Sequence, residues 1–190
     1  MPPKDFQQQI DQLKQIVFSH QHAGFDFTEK LRTQDFNLIA QTSLPAAATS
    51  IILDGIPPRI FLRILIEHDA KSGNGNNFLR FNNDSGANYT FIENGNNTAR
   101  TSRTEIDLID AANNSLGYLH IIDVVNIYNL VKAVHADSIA RITAASTAQT
   151  RHRTTGTWVS TTASITRVDL VASASNLPAG TSIRVYGSKD

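Results

Sequence analysis

The chain has 190 residues, 41% of them hydrophobic and 18% charged, and its 17 basic and 17 acidic residues cancel. Such a length suits one domain with a short appendage, and zero net charge argues against a general binder of nucleic acid. Without cysteine, the chain has no disulfides, thiolate zinc sites or cysteine nucleophiles. The longest strongly apolar stretch, residues 60–66, is too short for membrane insertion, and the first residues lack an apolar signal core.

The first predicted element is a short amphipathic helix. Pro2 and Pro3 end any earlier helix, and Asp5 is placed to cap this one. Its apolar residues recur at the spacing of a heptad seam: Phe6, Ile10, Leu13 and Val17. A helix this short is marginal in water and needs a partner surface. It either folds back on its own domain or joins copies of the chain in a short parallel coiled coil. Ile16 and Phe18 widen its apolar surface, which suits a trimer or a docked helix better than a dimer.

Two histidines, His20 and His22, follow the helix with one residue between them. In an extended backbone both side chains can face one point, so a three-fold assembly would bring six imidazoles to its axis. Six imidazole ligands favour iron or nickel. The alternative is a polar linker, in which the histidines end the helix and interact with its negative C-terminus.

From residue 25 onward, short runs rich in β-branched and aromatic residues alternate with Gly, Asn, Pro and Ser. We predict strands over Phe36–Ala40, Ser50–Leu53, Ile60–Glu67, Phe78–Phe81, Tyr89–Ile92, Glu105–Ile109, Tyr118–Val125, Val131–Ile142, Arg151–Val159, Ile165–Ala172 and Ser182–Tyr186. Asn74-Gly75 and Asn94-Gly95 indicate hairpin turns. Residues 118–142 also fit a helical period, so a helix there stays open.

These patterns predict a mainly β fold, an antiparallel jelly roll or β-sandwich with a short N-terminal α-helix. Residues 1–24 form the helix and linker, which serve oligomerisation or attachment, and residues 25–190 form the β-domain.

The local motifs favour structure over catalysis. Glu67-His68-Asp69 has the residue types of acid–base chemistry, but successive strand residues point to opposite faces, so we expect a solvated strand end. The Asn82–Asn88 run offers oxygen ligands for calcium, but an Asx-stabilised turn explains it better. Arg151-His152-Arg153 is expected on an exposed strand and lacks the aromatic residues of a single-strand nucleic-acid platform. No standard catalytic motif is present, and we expect no enzyme.

Three segments resemble virion proteins of tailed bacteriophages. The stretch His20-Gln21-His22-Ala23-Gly24-Phe25-Asp26, an H-x-H-x-G-x-D motif, is similar to one that recurs in tail fibres and other virion proteins. Residues 81–89, FNNDSGANY, resemble the F-N-G-D-x-G-x-N-Y turn of phage jelly-roll modules. Residues 176–187, NLPAGTSIRVYG, resemble their closing strands, although Leu177, Thr181 and Val185 replace the usual residues.

The resemblance covers about residues 20–187 and implies a non-enzymatic structural protein of the virion. We expect a homotrimer that acts as a head decoration, fibre or short tail-fibre component and contacts other capsid or tail proteins. The alternative is a lectin-like module that binds host-surface glycans through exposed aromatic side chains: Trp158, Tyr89 and Tyr118. A polysaccharide-degrading enzyme is disfavoured, because the chain leaves little room for a catalytic groove.

Overall fold

The computed structural model describes residues 36–73, 75–93, 99–109, 116–141 and 150–188. The chain divides into two units between Asp35 and Phe36, and the description concerns the second. The four residues of the predicted helical seam and the histidine pair lie outside the described residues: Phe6, Ile10, Leu13, Val17, His20 and His22. Their roles therefore stay predictions, as does the boundary after residue 24.

The described residues form twelve strands and no helix. The strands are β1 (Asn37–Ser43), β2 (Ser50–Leu53), β3 (Phe61–His68), β4 (Asn77–Phe81), β5 (Tyr89–Glu93), β6 (Arg100–Arg103), β7 (Ile106–Ile109), β8 (Gly117–Val125), β9 (Lys132–Arg141), β10 (Arg151–Trp158), β11 (Val168–Ala172) and β12 (Ser182–Gly187). They build an eight-stranded sheet of order β1-β12-β3-β8-β9-β10-β5-β6 and a four-stranded sheet of order β2-β11-β4-β7. The strand pairs in both sheets are antiparallel.

The hydrophobic core lies between the inner faces of the two sheets. In β3 of the large sheet, Leu62, Ile64 and Ile66 are buried and alternate with more exposed residues. They share one cluster with Leu79 and Phe81 of β4 in the small sheet. Because burying one such side chain contributes about 1.5–3 kcal/mol, this alternation holds the sandwich together.

The mainly β prediction is confirmed, and each predicted strand overlaps an observed one. Residues 118–141 contain the antiparallel pair β8 and β9 and the loop between them, so the helical alternative is wrong. Strand β6 was not predicted, because Arg100–Arg103 has no apolar alternation and lies at a sheet edge. The hairpin expected at Asn74-Gly75 is wrong, since β3 and β4 belong to different sheets. Strands β5 and β6 do pair as Asn94-Gly95 suggests, but the turn itself lies outside the described residues.

Candidate functional site

The three aromatic residues predicted to bind glycans are buried. Tyr89, Tyr118 and Trp158 are 0%, 1% and 2% exposed, because each occupies an inward-facing position of its strand. Tyr89 and Trp158 also stack, with ring centroids 6.4 Å apart. The prediction that these rings are exposed for stacking on sugars is therefore wrong.

The Asn82–Asn88 run is an Asx-stabilised turn, as expected. Asp84 Oδ1 accepts a hydrogen bond from the Gly86 amide at 2.8 Å, and its Oδ2 accepts bonds from Asn88 Nδ2 at 2.9 Å and Trp158 Nε1 at 2.6 Å. Partial burial tends to raise the pKa of Asp84, but these hydrogen bonds outweigh it and the pKa lies below its usual value. The carboxylate that calcium would need is thus occupied in fixing the turn.

In the two motifs that contain a histidine, the histidine side chain is buried and its neighbours in the chain are more exposed. Arg151 and Arg153 are exposed and bind Asp137, whose pKa their hydrogen bonds lower to about 2. His152 between them is buried. His68 is likewise buried between its more exposed neighbours, so the expectation of a wholly solvated Glu67-His68-Asp69 strand end is wrong for the histidine.

A buried polar network lies at one end of the sandwich, which we call the histidine end. Asn77 Nδ2 donates to His68 Nε2 at 2.7 Å and lies 3.4 Å from His120 Nε2. His68 Nδ1 therefore carries a hydrogen and donates to the Asp69 carbonyl at 2.7 Å. His120 Nδ1 lies 2.7 Å from Ser138 Oγ. The network joins strands of both sheets, since Asn77 belongs to β4 and the two imidazoles to β3 and β8.

The imidazoles of this network are held in their neutral form. Burial lowers the pKa of His68, and it lowers the pKa of His120 further together with the basic neighbours His68, Lys71 and His152. The His68 and His120 rings lie 5.5 Å apart, so charging both would place two cations side by side.

The chemistry of the histidine end is structural. Ser138 and His120 form the pairing of a nucleophile and its base, but both are fully buried, so the bond between them belongs to the core. Within the described ranges, no three side chains of His, Asp or Glu are grouped to hold a metal ion. Lys71 Nζ donates to Gly75 O at 2.6 Å and to Asn77 Oδ1 at 2.8 Å, which satisfies the remaining side of the asparagine.

The opposite end of the sandwich is the candidate functional site, and we call it the apolar end. The described chain begins there, because Asn37 pairs with Gly187 and Gly187 with Leu62 near the start of β3. Of the nine large hydrophobic residues exposed in the described part, six lie at this end. They are Ile60, Phe61, Tyr128, Leu130, Val131 and Val159, between 40% and 59% exposed.

The strand register brings these six residues to the same end of the sandwich, and we call them the rim. The Asn126 amide donates to Ile60 O at 2.7 Å, which joins the loop before β3 to the β8–β9 loop. Lys132 pairs with Trp158, so Val131 and Val159 are neighbours on adjacent strands. An exposed apolar surface of this kind is typical of an interaction site.

Hydrogen bonds from two buried side chains hold the loops of the rim in place. Lys132 is fully buried, and its Nζ donates to the carbonyl oxygens of Ile127, Leu130 and Ser160 at 2.9, 2.6 and 2.9 Å. Burial lowers the pKa of Lys132, but three acceptors match the three N–H bonds of an ammonium group. Asn126 adds a second tie, since its side chain donates to Arg59 O at 3.0 Å. The loops that carry the rim are therefore held in one arrangement.

The rim is also nearly free of charge and contains a pocket. Residues 126–131 and 159–166 include no charged side chain. A pocket of about 230 Å³ opens between the loops. Its lining residues are Pro58, Arg59, Ile60, Asn126, Tyr128 and Ser164. Sequence reasoning missed this site, although the uncharged stretch Asn126–Val131 between two strands was a visible signal.

Compared with known proteins, the chain matches no family model, no curated protein and no solved structure. Within the part of the chain that the structure describes, there is no helix long and apolar enough to span a membrane.

Proposed function

We propose that the protein is a non-enzymatic structural component of a tailed-phage virion, a homotrimeric head decoration, fibre or short tail-fibre protein. The proposal rests on the three sequence segments that resemble such proteins. The observation that carries it is the apolar end: exposed hydrophobic side chains on hydrogen-bonded loops lie at the end of the sandwich where the described chain begins. A surface of that kind serves assembly better than it serves recognition of a polar substrate.

The strand order supports a jelly roll within the sandwich. An eight-stranded jelly roll has one sheet in the order first, eighth, third, sixth and the other in the order second, seventh, fourth, fifth. If β2 to β7, β10 and β11 are numbered as those eight strands, the small sheet β2-β11-β4-β7 has the first order. The large sheet then has β3, β10, β5 and β6 in the second order, with the β8–β9 hairpin inserted after β3.

The N-terminal segment would join the copies. Its seam residues Ile10 and Leu13 are placed to meet their counterparts in a parallel helical trimer. The sandwich would then be the outward body of each protomer, anchored at its apolar end.

Native mass spectrometry of the full chain tests the trimer. We expect three times the chain mass for the wild type and one chain mass for Ile10→Asp/Leu13→Asp, since carboxylates in the seam repel. The matched control is Gln8→Asp/Gln15→Asp, which adds the same charge outside the seam and keeps the trimer. A wild-type monomer at high concentration contradicts the proposal.

The virion location has its own test. Peptides of this chain should appear in phage particles purified from a host that carries its gene, in a fixed ratio to the major capsid or tail protein. Absence of the chain from intact particles overturns the virion assignment.

A further inference from the structure

We infer that the apolar end is itself an interface between copies of this chain, so that the sandwiches of the trimer pack on one another around Leu130. The inference rests on the proposed trimer and names the partner of the site described above. The partner is a second copy, and three features of the apolar end point to it.

The first feature is where the rim comes from. Tyr128, Leu130 and Val131 lie in or beside the loop of the β8–β9 hairpin, which stands between β3 and β10 in the large sheet. The eight strands of the jelly-roll order are complete without this hairpin. At its tip Leu130 is 54% exposed, and the Lys132 ammonium donates a hydrogen bond to the Leu130 carbonyl oxygen. Holding an apolar side chain in water raises the free energy of the isolated protomer, and burying that side chain in an interface lowers it again.

The second feature is charge. When copies are arranged around an axis, the residues nearest the axis face the same residues of the neighbouring copies. A charged side chain there would therefore face a like charge. Residues 126–131 and 159–166 carry no charge, although charged residues lie within three positions of these segments at Asp123, Lys132 and Arg167. Lys132 is turned into the protein and its ammonium is enclosed by carbonyl groups. These two segments can therefore meet their counterparts without repulsion, and Arg59 at the pocket is a charged side chain that the contact must accommodate.

The third feature is position and shape. The chain enters the sandwich at Phe36, beside the rim, so copies joined through residues 1–35 are tethered at this end. The pocket between Pro58 and Tyr128, about 230 Å³, is large enough for a leucine side chain. An aliphatic knob entering a pocket of the next copy is the arrangement that concentrates binding energy at an interface.

Disulfide cross-linking tests the contact directly, because the chain has no cysteine of its own. We expect Leu130→Cys in the full chain to give covalent dimers under mild oxidation, since one disulfide joins two of three copies. Ile52→Cys is the matched control: it is 46% exposed but lies on the outer face of the small sheet, and it should stay monomeric on the denaturing gel. Dimer yield should not depend on protein concentration.

A charge substitution supplies the second measurement. Leu130→Lys should raise the concentration at which the trimer half-dissociates by about tenfold or more, while Ile52→Lys leaves it unchanged. Both positions are exposed, so both variants should keep the wild-type melting temperature of the sandwich.

The outcomes separate the two proposals. A wild-type trimer with no Leu130→Cys dimers and an unchanged Leu130→Lys trimer overturns the interface and leaves the proposed function standing. A monomeric wild type overturns both. If Leu130→Lys keeps the trimer but loses attachment to phage particles, another virion protein covers the rim and the self-interface is wrong.

Discussion

One end of the sandwich buries polar side chains, and the other end exposes apolar ones. The histidine end hides polar side chains, with His68, His120 and Asn77 buried in one hydrogen-bonded network. The apolar end exposes hydrophobic side chains, among them Tyr128 and Leu130, above a buried ammonium group. Both arrangements cost free energy in an isolated protomer, and the proposed contact with a second copy would relieve the second.

In the proposed assembly the apolar end makes the contact between copies, and the histidine end holds the protomer together. The buried network joins β3, β4 and β8, so it ties the two sheets together and fixes their relative position. The loops at the other end are also tied together, through Asn126, but they leave the apolar side chains of the rim exposed. Substitutions at the histidine end should therefore change folding stability, and rim substitutions should change assembly.

The largest expected effect comes from the support under the rim. Lys132→Met should lower the free energy of unfolding by about 3 kcal/mol, because three carbonyl groups lose the buried ammonium that donates to them. The melting temperature would fall by about 6–12 °C. Lys71→Met is the comparison at the histidine end: this lysine bonds two acceptors, and burial lowers its pKa to about 8, so we expect about half the loss. Equal losses in thermal unfolding would contradict the comparison.

The histidine end should make the fold sensitive to acid. In the unfolded chain His68 and His120 take up protons near pH 6.5, whereas in the folded chain their pKa values are lowered by burial. Stability is thus present above pH 6.5 and lost as the pH falls below it, by up to about 1.4 kcal/mol per pH unit for each histidine. Denaturant unfolding at pH 7 to 5 measures this slope.

Two variants identify the source of that slope. His120→Asn removes one titrating group and should lower the slope by about 1.4 kcal/mol per pH unit. Ser138→Ala removes the partner of His120 but no titration, so stability should fall at every pH with the slope unchanged. A wild-type slope in His120→Asn would show that the acid sensitivity arises elsewhere.

A smaller effect is expected at the turn beside the apolar end. Trp158→Phe keeps the buried ring but removes the Nε1–H bond to Asp84, and we expect a loss of about 2 kcal/mol. Asp84→Asn keeps a side-chain oxygen for the Gly86 amide and should cost less. If Trp158→Phe is neutral in denaturant unfolding, the bond does not stabilise the turn.

The smallest expected effect is a pH-dependent gain. Burial, together with the nearby Glu93, raises the pKa of Asp107 well above its usual value. The protonated form is favoured in the fold, so this group stabilises at low pH and the contribution is lost as the pH rises through its folded pKa. Asp107→Asn should match the wild type near pH 4, where the unfolded carboxyl is also protonated, and exceed it at pH 8 by about 1 kcal/mol or more. A larger gain at pH 4 than at pH 8 would contradict that sign.

Sequence patterning predicted most of the strands, because burial on one face imposes a period of two. The same period carried information that the sequence interpretation did not use. Tyr118 and His120 share parity with Ile122 and Val124, which places both on the inner face of β8. Trp158 shares parity with the buried His152. Strict use of alternation would have excluded these rings as exposed glycan binders.

Other features depend on contacts that are distant in the chain. Asn77 and His120 are 43 positions apart, and their meeting depends on which sheet each strand joins. The β8–β9 hairpin lies between β3 and β10 through backbone pairing, which side-chain patterns do not specify. The rim follows from that placement, so only its uncharged composition was predictable.

Distances between copies, measured separately at each end of the sandwich, test whether the copies assemble through the apolar end. The sandwich is about 25 Å long, from the eight residues of β3, so labels at its two ends are clearly separated. Single spin labels can be placed at Leu130→Cys or at the exposed Ala179→Cys in the loop at the histidine end. Pulsed dipolar spectroscopy of the trimer should give a short distance between copies for the first and a much longer one for the second. Equal distances, or the shorter one at residue 179, would contradict assembly through the apolar end.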